Sequence, residues 1–438
     1  MAVIDAGSAT GLQARAAPRA SQVAAVTAGN ALEFYDFLTY AFFAAQIGRT
    51  FFPSADASVS LLASLATFGA GFLMRPVGAL VIGRIGDRRG RKPAMLLSFG
   101  LMGTAMLGLA MTPSYRAIGV AGPVLAILFR LTQGFALGGE VGPNTAYLVE
   151  AAPPHRRGLY VSFQYMSQDL SVLCSGLVGY VLSSHISAAA LDAWGWRVAF
   201  LLGAAIVPFG LVLRRGLIET LHQPAHAAVP PAPPQRLGFL GLVLLSLVLL
   251  AGGTIGTYVL SYLTTYATET LRMPTTVGFL APIAIGVVGV VFDPLGGWLS
   301  DRFGRKPVML IAWVFLFVAA VPAFRFLARD RSVEALLLLT VTLQIALCIS
   351  GTSVLVAVTE GLPRAIRCGS LGLIYAFAIS VFGGSTQFTV AWLTKVTGNP
   401  VAPAWYMTTA AAVALGAMLL LKESAPRRLE RQAANLSP

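Results

Sequence analysis

Long apolar runs recur along the whole chain, and short polar segments separate them. Each run holds about 17–30 residues, and a helix of about 20 residues crosses a hydrocarbon core roughly 30 Å thick. Only 11% of the 438 residues are charged, whereas a soluble domain carries about 25%. Most of the surface must therefore face lipid, and we predict an all-α membrane protein. The runs predict twelve membrane-spanning helices, at about 23–47, 59–83, 93–112, 119–149, 158–184, 197–215, 237–266, 276–299, 307–327, 334–359, 369–394 and 403–422.

The basic residues lie in short clusters between these apolar runs. The net charge is +13, and of the 31 Lys and Arg residues we place 21 on one side of the membrane, 8 on the other side and 2, Arg75 and Arg130, within predicted spans. Cytoplasmic loops carry the excess of Lys and Arg, so the more basic side is predicted to be cytoplasmic. Because the number of spans is even, both termini are predicted to lie there. A nucleic-acid-binding chain would gather its cations on one exposed face, so we predict no nucleic-acid partner.

No residue pattern indicates an enzyme, a cofactor or a metal site. Cys174, Cys348 and Cys368 lie in or beside apolar runs without the spacing of metal ligands, and the four histidines are scattered. No nucleophile–base set appears, and the phosphate-binding pattern GxxxxGK[ST], which ATP-driven transport requires, is absent from the sequence. We therefore predict no catalytic residue, no cofactor and no bound metal.

A proline-rich segment divides the chain into two halves of six predicted spans each. Residues 216–236 contain five prolines and lie between spans six and seven. The loop after span two, GDRRGRKP at 86–93, recurs as SDRFGRKP at 300–307, which is 214 residues later. Duplicated helix bundles are typical of transporters that bind their substrate near the middle of the membrane. The predicted domains are a cytoplasmic tail at 1–22, an N-terminal bundle at 23–215, a cytoplasmic linker at 216–236, a C-terminal bundle at 237–422 and a cytoplasmic tail at 423–438.

Two signatures make the chain resemble the major facilitator superfamily. One is GRIGDRRGRK at 83–92, which is echoed after span eight, and the other is RLTQGFALGG at 130–139 in span four. The resemblance covers essentially the whole chain. It implies twelve transmembrane helices in two six-helix bundles with pseudo-two-fold symmetry, and transport by alternating access.

Further motifs indicate a narrower likeness. They are GNALEFYDF at 29–37, FGAGFLMRPVGA at 68–79, RLTQGFALGGEVG at 130–142, WGWRVAFLLGA at 194–204 and SLGLIYAFAISVFGG at 370–384. In these motifs the chain resembles the metabolite–proton symporter family, and within it the bacterial citrate and tricarballylate symporters. The resemblance implies uptake of an organic carboxylate with H⁺ across the bacterial inner membrane, and we expect a monomer. Carriers of 2-oxoglutarate, shikimate, betaine or proline share most of these motifs, so those substrates stay open, as does efflux antiport.

Polar residues within the predicted spans are candidates for the transport site, because an ionisable side chain in lipid costs several kcal/mol unless it is paired or wetted. Span four places Arg130, Gln133 and Glu140 on one helical face, which cannot face lipid. An arginine can hold a carboxylate through two parallel hydrogen bonds, although a structural ion pair is the alternative. The predicted substrate-binding residues are Asn30, Arg75, Arg130, Gln133, Gln164 and Gln168.

Proton coupling needs a carboxyl group that gains and loses a proton as its surroundings change. Span one offers Glu33 and Asp36, and a position near Arg130 would meet that need. We predict that Glu33, Asp36 and Glu140 take part in coupling, and the alternative is an ion pair that orders the bundle.

The duplicated loop predicts a gate rather than a binding site. Asp87 lies at a helix end, and Arg88 and Arg91 are placed to reach Glu150 at the inner end of span four. We expect such pairs to close the cytoplasmic side and to break when it opens. The predicted gating residues are Asp87, Arg88, Arg91 and Glu150, with their repeats Asp301, Arg302, Arg305 and Glu360.

Two acidic residues depart from the pattern of the citrate relatives. Asp169 in span five projects about 140° away from Gln164 and the polar stripe of that helix. Asp293 in span eight is the one clear acidic residue deep in the C-terminal half of the sequence. We expect Asp169 either to pair with another helix or to indicate a different substrate.

Overall fold

The computed structural model describes residues 20–89, 91–138, 152–215, 238–362 and 367–426, together with Thr145, Leu148, Val149 and Arg428. The described residues are almost entirely helical and contain no strand. Helices lie at all twelve positions where the apolar runs predict spans, which confirms the all-α fold. They are α1 (Ala20–Phe42, continued by Ala44–Phe51), α2 (Ala57–Leu73, continued by Arg75–Arg89), α3 (Arg91–Met111), α4 (Ala121–Leu137), α5 (Arg157–His185), α6 (Trp196–Arg215), α7 (Phe239–Ser261, continued to Thr270), α8 (Thr275–Gly278 and Leu280–Phe303), α9 (Arg305–Asp330), α10 (Val333–Gly361), α11 (Arg367–Ala378, continued to Thr397) and α12 (Ala402–Leu420).

The two halves differ in how apolar their helices are. Seven helices of the described chain are by themselves long and apolar enough to cross a membrane, and they comprise α2 and all six helices of the C-terminal half. In the N-terminal half, α5 carries Gln164, Gln168, Asp169 and several serines, which lower its mean hydropathy. α5, which carries two of the predicted substrate residues, is therefore less apolar than the helices of the C-terminal half. The proposed limits of the tails and of the linker stay a prediction, because residues 1–19 and 216–237 lie outside the described part.

Small residues allow the halves to approach closely along α5 and α8 and along α2 and α11. A Cβ atom added to Gly297 of α8 would lie 2.5 Å from the carbonyl oxygen of Gly158 in α5. A Cβ atom added to Gly69 of α2 would lie 2.4 Å from the carbonyl oxygen of Gly384 in α11. Both distances are too short for a side chain, so these glycines fix the separation of the halves.

A proline in α2 creates a further contact between the halves. Pro76 has no N–H, so the carbonyl group of Phe72, four residues earlier, lacks its helical donor. Ser380 of α11 donates its hydroxyl to that carbonyl oxygen at 2.7 Å. A buried carbonyl group in lipid needs such a partner, and here the partner comes from the other half.

Candidate functional site

Arg130 lies at the centre of the N-terminal bundle and is fully buried. Its Nη1 donates to Oε1 of Gln133 at 2.7 Å, and Nε2 of Gln133 donates to Oδ1 of Asp36 at 3.2 Å. The face of α4 that the sequence predicts to be polar therefore meets α1 through a chain of two hydrogen bonds. We call Asp36, Arg75, Arg130 and Gln133 the arginine cluster.

Aromatic rings hold the two guanidinium groups of the arginine cluster. The Cζ atom of Arg130 lies 4.4 Å from the ring centre of Tyr40 and 4.9 Å from that of Phe37. The Cζ atom of Arg75 lies 4.7 Å from the ring centre of Phe37 and 4.5 Å from that of Phe72. Each contact is within the range of a cation–π interaction. The rings stabilise the positive charges without using their N–H donors.

The arginine cluster retains hydrogen-bond donors for a ligand. Atoms Nε and Nη2 of both Arg75 and Arg130 have no hydrogen-bond partner among the described residues. The described part of the cluster contains two guanidinium groups and one carboxylate, that of Asp36, so its formal charge is positive. Buried donors without partners cost free energy, and an anion with two oxygen atoms satisfies them.

Asn30 and Gln164, two other predicted substrate residues, join helices of the N-terminal bundle. Nδ2 of Asn30 donates to the carbonyl oxygen of Gln164 at 3.2 Å and to Oγ of Ser167 at 2.8 Å. Oε1 of Gln164 accepts from the hydroxyl of Thr145 at 2.5 Å. These contacts link α1, α5 and Thr145, so in this conformation both side chains serve packing within the N-terminal half.

A cavity lies between the two halves, and among the predicted substrate residues with described side chains it is Gln168 that reaches it. Helices α1, α5, α7, α8, α9, α10 and α11 contribute to its wall, and the described residues of the wall include no Lys, Arg or His. Tyr258 connects the cavity with the arginine cluster, because its ring also contacts that of Phe72, with ring centres 5.6 Å apart. The polar and aromatic lining residues are Phe34, Tyr165, Gln168, Asp169, Thr254, Thr257, Tyr258, Ser261, Asp293, Trp313, Gln344, Cys348, Ser350 and Tyr375.

Two carboxyl groups meet in the cavity wall, which the sequence alone does not show. Oδ2 of Asp169 in α5 accepts from Nε2 of Gln344 in α10 at 2.8 Å. Carboxylate atoms of Asp169 and Asp293 and the sulfur of Cys348 lie within 4.8 Å of one another. Asp169 therefore pairs with other helices, which is the first of the two alternatives expected from the sequence. We call Asp169, Asp293, Gln344 and Cys348 the acidic cluster. Because the amide of Gln344 donates to the Asp169 carboxylate, we assign no metal to this cluster.

Asp301 connects the two halves at the end of the molecule that carries the duplicated loops, which we call the loop end. Its carboxylate accepts the backbone N–H groups of Gly158 and Leu159, in the first turn of α5, both at 2.9 Å. It also accepts from Nη1 of Arg305 at 2.6 Å. A negative charge at a helix N-terminus is favourable. The loop of the C-terminal half is thereby held against a helix of the N-terminal half.

Glu360 completes the contact at the loop end with Arg305 rather than Arg302. Nε of Arg305 lies 3.4 Å from Oε2 of Glu360, and Nη1 of Arg157 from α5 lies 3.6 Å from Oε1. Arg302 instead stacks on aromatic rings at the end of α8. Gly304 between the two arginines has φ +106°, which favours glycine. This turn directs Arg305 inward and leaves Arg302 at the surface.

The remaining predicted site residues have side chains outside the described part of the structure. They are Glu33, Asp87, Arg88, Arg91, Glu140 and Glu150. Their roles in proton coupling and gating stay predictions.

Ion pairs also join the halves at the opposite end, and sequence reasoning missed them. Arg49, at the end of α1, lies 3.1 Å from Glu269 at the end of α7, and its other Nη atom lies 2.9 Å from Asp192. Lys395 of α11 lies 2.6 Å from Asp56 before α2. The hydrogen bond from Lys395 lowers the pKa of Asp56 below its ordinary value. The halves are thus in contact at both ends of the cavity.

Comparisons with known proteins agree with this architecture. A sequence model of the family described as Major Facilitator Superfamily matches residues 26–385. The chain is 34% identical to the citrate-proton symporter of Klebsiella pneumoniae over 397 residues, covering 90% of this chain and 89% of that protein. It is 36% identical to the alpha-ketoglutarate permease of Escherichia coli (strain K12) over 407 residues, covering 91% of this chain and 93% of that protein. It is 33% identical to the proline/betaine transporter of the same organism over 432 residues, covering 93% of this chain and 84% of that protein. A crystal structure of a D-xylose-proton symporter superposes with a TM-score of 0.75 at 20% identity, covering 93% of this chain and 98% of that chain.

Proposed function

The chain belongs to the Major Facilitator Superfamily and is a multi-pass membrane transporter, and we propose that it takes up a small organic carboxylate together with H⁺. Transport follows alternating access across the bacterial inner membrane, with both termini in the cytoplasm. Citrate and tricarballylate are the first substrates to test. The loop end then faces the cytoplasm, as the clustering of basic residues there favours.

The arginine cluster is the observation that carries this proposal. Arg75 and Arg130 are buried, lie on aromatic rings and keep Nε and Nη2 donors without partners in the described chain. A carboxylate accepts two such N–H groups in parallel, and charge-assisted hydrogen bonds of this kind are about twice as strong as neutral ones. A neutral sugar would leave the positive charges uncompensated. The site therefore favours an anionic group.

The names of the relatives support the same chemistry. Citrate, alpha-ketoglutarate, proline and betaine differ in size and net charge, but each carries a carboxylate. A carboxylate bound at the arginine cluster is the feature that all of these compounds share. The rest of the substrate would extend past Tyr258 into the cavity between the halves. Tyr258 lines that cavity and contacts Phe72 beside the arginine cluster.

The ion pairs at the two ends suggest how access alternates. Asp301, Arg157 and Glu360 would close the cytoplasmic side, and Arg49 and Lys395 with their partners would close the periplasmic side. Because both sets join opposite halves, a rocking motion of the halves can break one set while the other is kept. Binding of substrate and proton would select which set breaks.

Uptake into membrane vesicles tests the proposal. Radiolabelled citrate, tricarballylate, 2-oxoglutarate and glycine betaine are compared with and without an inward proton gradient, and with a protonophore. Accumulation of a carboxylate that the protonophore abolishes is expected. Accumulation that resists the protonophore would exclude proton coupling, and failure of every carboxylate would exclude the substrate class.

Variants of the arginine test the site itself. Arg130→Lys keeps the charge but loses the paired donors, so we expect substrate affinity to fall about 10- to 150-fold, the equivalent of one charge-assisted hydrogen bond of about 1.5–3 kcal/mol. Arg325→Lys is the matched control, because Arg325 is exposed in α9 and lies 5.9 Å from the ring centre of Trp405. Equal affinities in the two variants would contradict a role of Arg130 in binding.

A further inference from the structure

The acidic cluster lies where the two halves meet, and its members come from both halves. Asp169 belongs to α5 of the N-terminal half, whereas Asp293 belongs to α8, and Gln344 and Cys348 belong to α10 of the C-terminal half. Gly289, one turn before Asp293, provides the space for Asp169. A Cβ atom at Gly289 would lie 1.7 Å from Oδ2 of Asp169. The side chain of Asp169 therefore rests directly on the surface of the opposite half.

The hydrogen bonds around the pair leave one carboxylate oxygen without a donor. Oδ2 of Asp169 accepts from Nε2 of Gln344 at 2.8 Å and from the thiol of Cys348 at 3.7 Å. Oδ2 of Asp293 is buried and has no partner among the described residues, and the Asp293 side chain is only 2% exposed. A buried charged oxygen without a donor is unfavourable. A proton held between the two carboxyl groups would satisfy it.

No cation of the described chain offsets two negative charges at this place. Among the described residues, the titratable groups that face the pair are Tyr165 on α5 and Cys348 on α10, and Tyr258 and Tyr375 line the same cavity. All four are neutral when protonated. Helices α1 and α7 contribute apolar residues and hydroxyl groups to the same wall. Asp293 is buried and Asp169 is partly buried, and carboxyl groups this close in such surroundings do not both ionise without a neighbouring cation.

We infer that Asp169 and Asp293 share one proton while the halves are closed, and that this is a proton-binding site of the transport cycle. The inference rests on the proposed proton-coupled transport. When the halves separate, Asp169 leaves with α5 and Asp293 stays on α8, so water reaches both carboxyl groups and the proton is released. Without the proton, the two carboxylates repel each other and the closed state does not form. The pair thus links proton binding to the movement that transport requires.

The geometry gives this site a different role from the arginine cluster. The arginine cluster lies within the N-terminal bundle, and its hydrogen bonds from Arg130 to Asp36 stay on one side of the interface. The acidic pair spans the interface and is broken by opening. Substrate charge is bound at the first site and the proton at the second.

Infrared spectroscopy of the purified protein tests the shared proton without any substrate. The difference spectrum between wild type and Asp293→Asn is expected to contain the C=O band of a protonated carboxyl group at neutral pH, and that band should shift in D₂O. The difference spectrum between wild type and Asp169→Asn should contain the same band, because either substitution removes the shared proton. Asp330→Asn is the control, because Asp330 lies at the exposed end of α9. Difference spectra without a carboxylic acid band would overturn the inference.

Transport in proteoliposomes tests the coupling. One coupled proton supports about tenfold accumulation of radiolabelled citrate for each unit of pH gradient. Asp293→Asn is expected to reduce this accumulation to equilibrium, while exchange of internal for external citrate falls much less. Gly289→Ala, which displaces Asp169 and keeps both carboxyl groups, should impair accumulation in the same way. Gradient-driven accumulation that survives in both variants would refute the coupling role.

The two measurements separate the possible failures. If wild type transports none of the carboxylates, the proposed function fails, and the infrared band still decides whether the proton is shared. If the variants lose exchange and accumulation equally, the pair acts in substrate binding or in folding, and the inference is wrong. Elution of each variant as a single folded species on size-exclusion chromatography is required before either comparison.

Discussion

Replacing Asp301 by asparagine perturbs the contact that closes the loop end. The carboxylate accepts the N–H groups of Gly158 and Leu159 at 2.9 Å each, and Nη1 of Arg305 at 2.6 Å. Asparagine has nearly the same size, but its single side-chain oxygen cannot accept hydrogen bonds from all three donors. Its NH₂ group would face a backbone donor, and the negative charge at the N-terminus of α5 would be lost.

The expected cost follows from the two contacts with the N-terminal half and from the helix charge, because the contact with Arg305 lies within the C-terminal half and persists in the open state. A hydrogen bond to a charged group contributes about 1.5–3 kcal/mol and a neutral one about 0.5–1.5 kcal/mol. The favourable charge at the helix N-terminus contributes about 0.3–1 kcal/mol. We therefore expect the closed state to lose about 2–4 kcal/mol relative to the open state. This corresponds to a change of about 30- to 1000-fold in the ratio of open to closed molecules.

Cys348 provides a native probe of opening, because it lines the cavity and its side chain is buried. In a background with Cys174→Ala and Cys368→Ala, a membrane-impermeant maleimide is added to inside-out vesicles. The labelling rate of Cys348 should rise at least about tenfold in Asp301→Asn, given a tenfold change for every 1.36 kcal/mol, and stay unchanged in the control Asp330→Asn. An unchanged rate in Asp301→Asn would show that this carboxylate does not hold the loop end closed.

Two further predictions concern packing and pH. Gly134→Ala places a Cβ atom 1.6 Å from the carbonyl oxygen of Gly71, so α2 and α4 must separate and stability should fall by about 3 kcal/mol. The control is Gly253→Ala, where nothing lies within 4 Å, and its melting temperature in detergent should equal or slightly exceed that of wild type. Equal melting temperatures for the two variants would contradict the helix separation. Because Lys395 lowers the pKa of Asp56, this ion pair stabilises the closed end opposite the loop end. The stabilisation is complete above the ordinary carboxyl pKa of about 3.9 and is lost as the pH falls through the lowered value. The melting temperature of Lys395→Gln should thus lie below that of wild type near neutral pH and converge with it as the pH falls below the lowered pKa of Asp56. A difference that stays constant as the pH is lowered would exclude the ion pair as its cause.

The positions of the helices were accessible from the sequence because a span depends on local properties. A run of apolar residues of sufficient length must form a helix in lipid, whatever lies beside it, since its backbone groups have no other partners. The repeat of 86–93 at 300–307 likewise identifies two equivalent units without any structure. The polar face of α4 with Arg130 and Gln133 was predictable for the same local reason, because helical periodicity alone places them together.

The partners of individual side chains required the tertiary structure. Arg302 and Arg305 are equivalent candidates in the sequence, and the positive φ of Gly304 decides that Arg305 reaches Glu360. The ion pair of Arg49 with Glu269 joins residues 220 positions apart, and nothing local indicates it. Such contacts depend on how far each helix is rotated and shifted relative to its neighbours.

Asp169 shows most clearly where prediction from the sequence ends and the tertiary structure is needed. Helical periodicity shows that its carboxyl group points away from the polar stripe of α5, but it does not show toward which helix. The close approach at Gly289 decides this, because the missing side chain lets Asp169 reach Asp293 and Gln344 in the other half. In lipid the apolar surfaces of helices are nearly interchangeable, so packing of small residues and a few hydrogen bonds select the neighbours. The sequence by itself determined which residues are within the membrane, and only the packing of the two halves decided which of them meet.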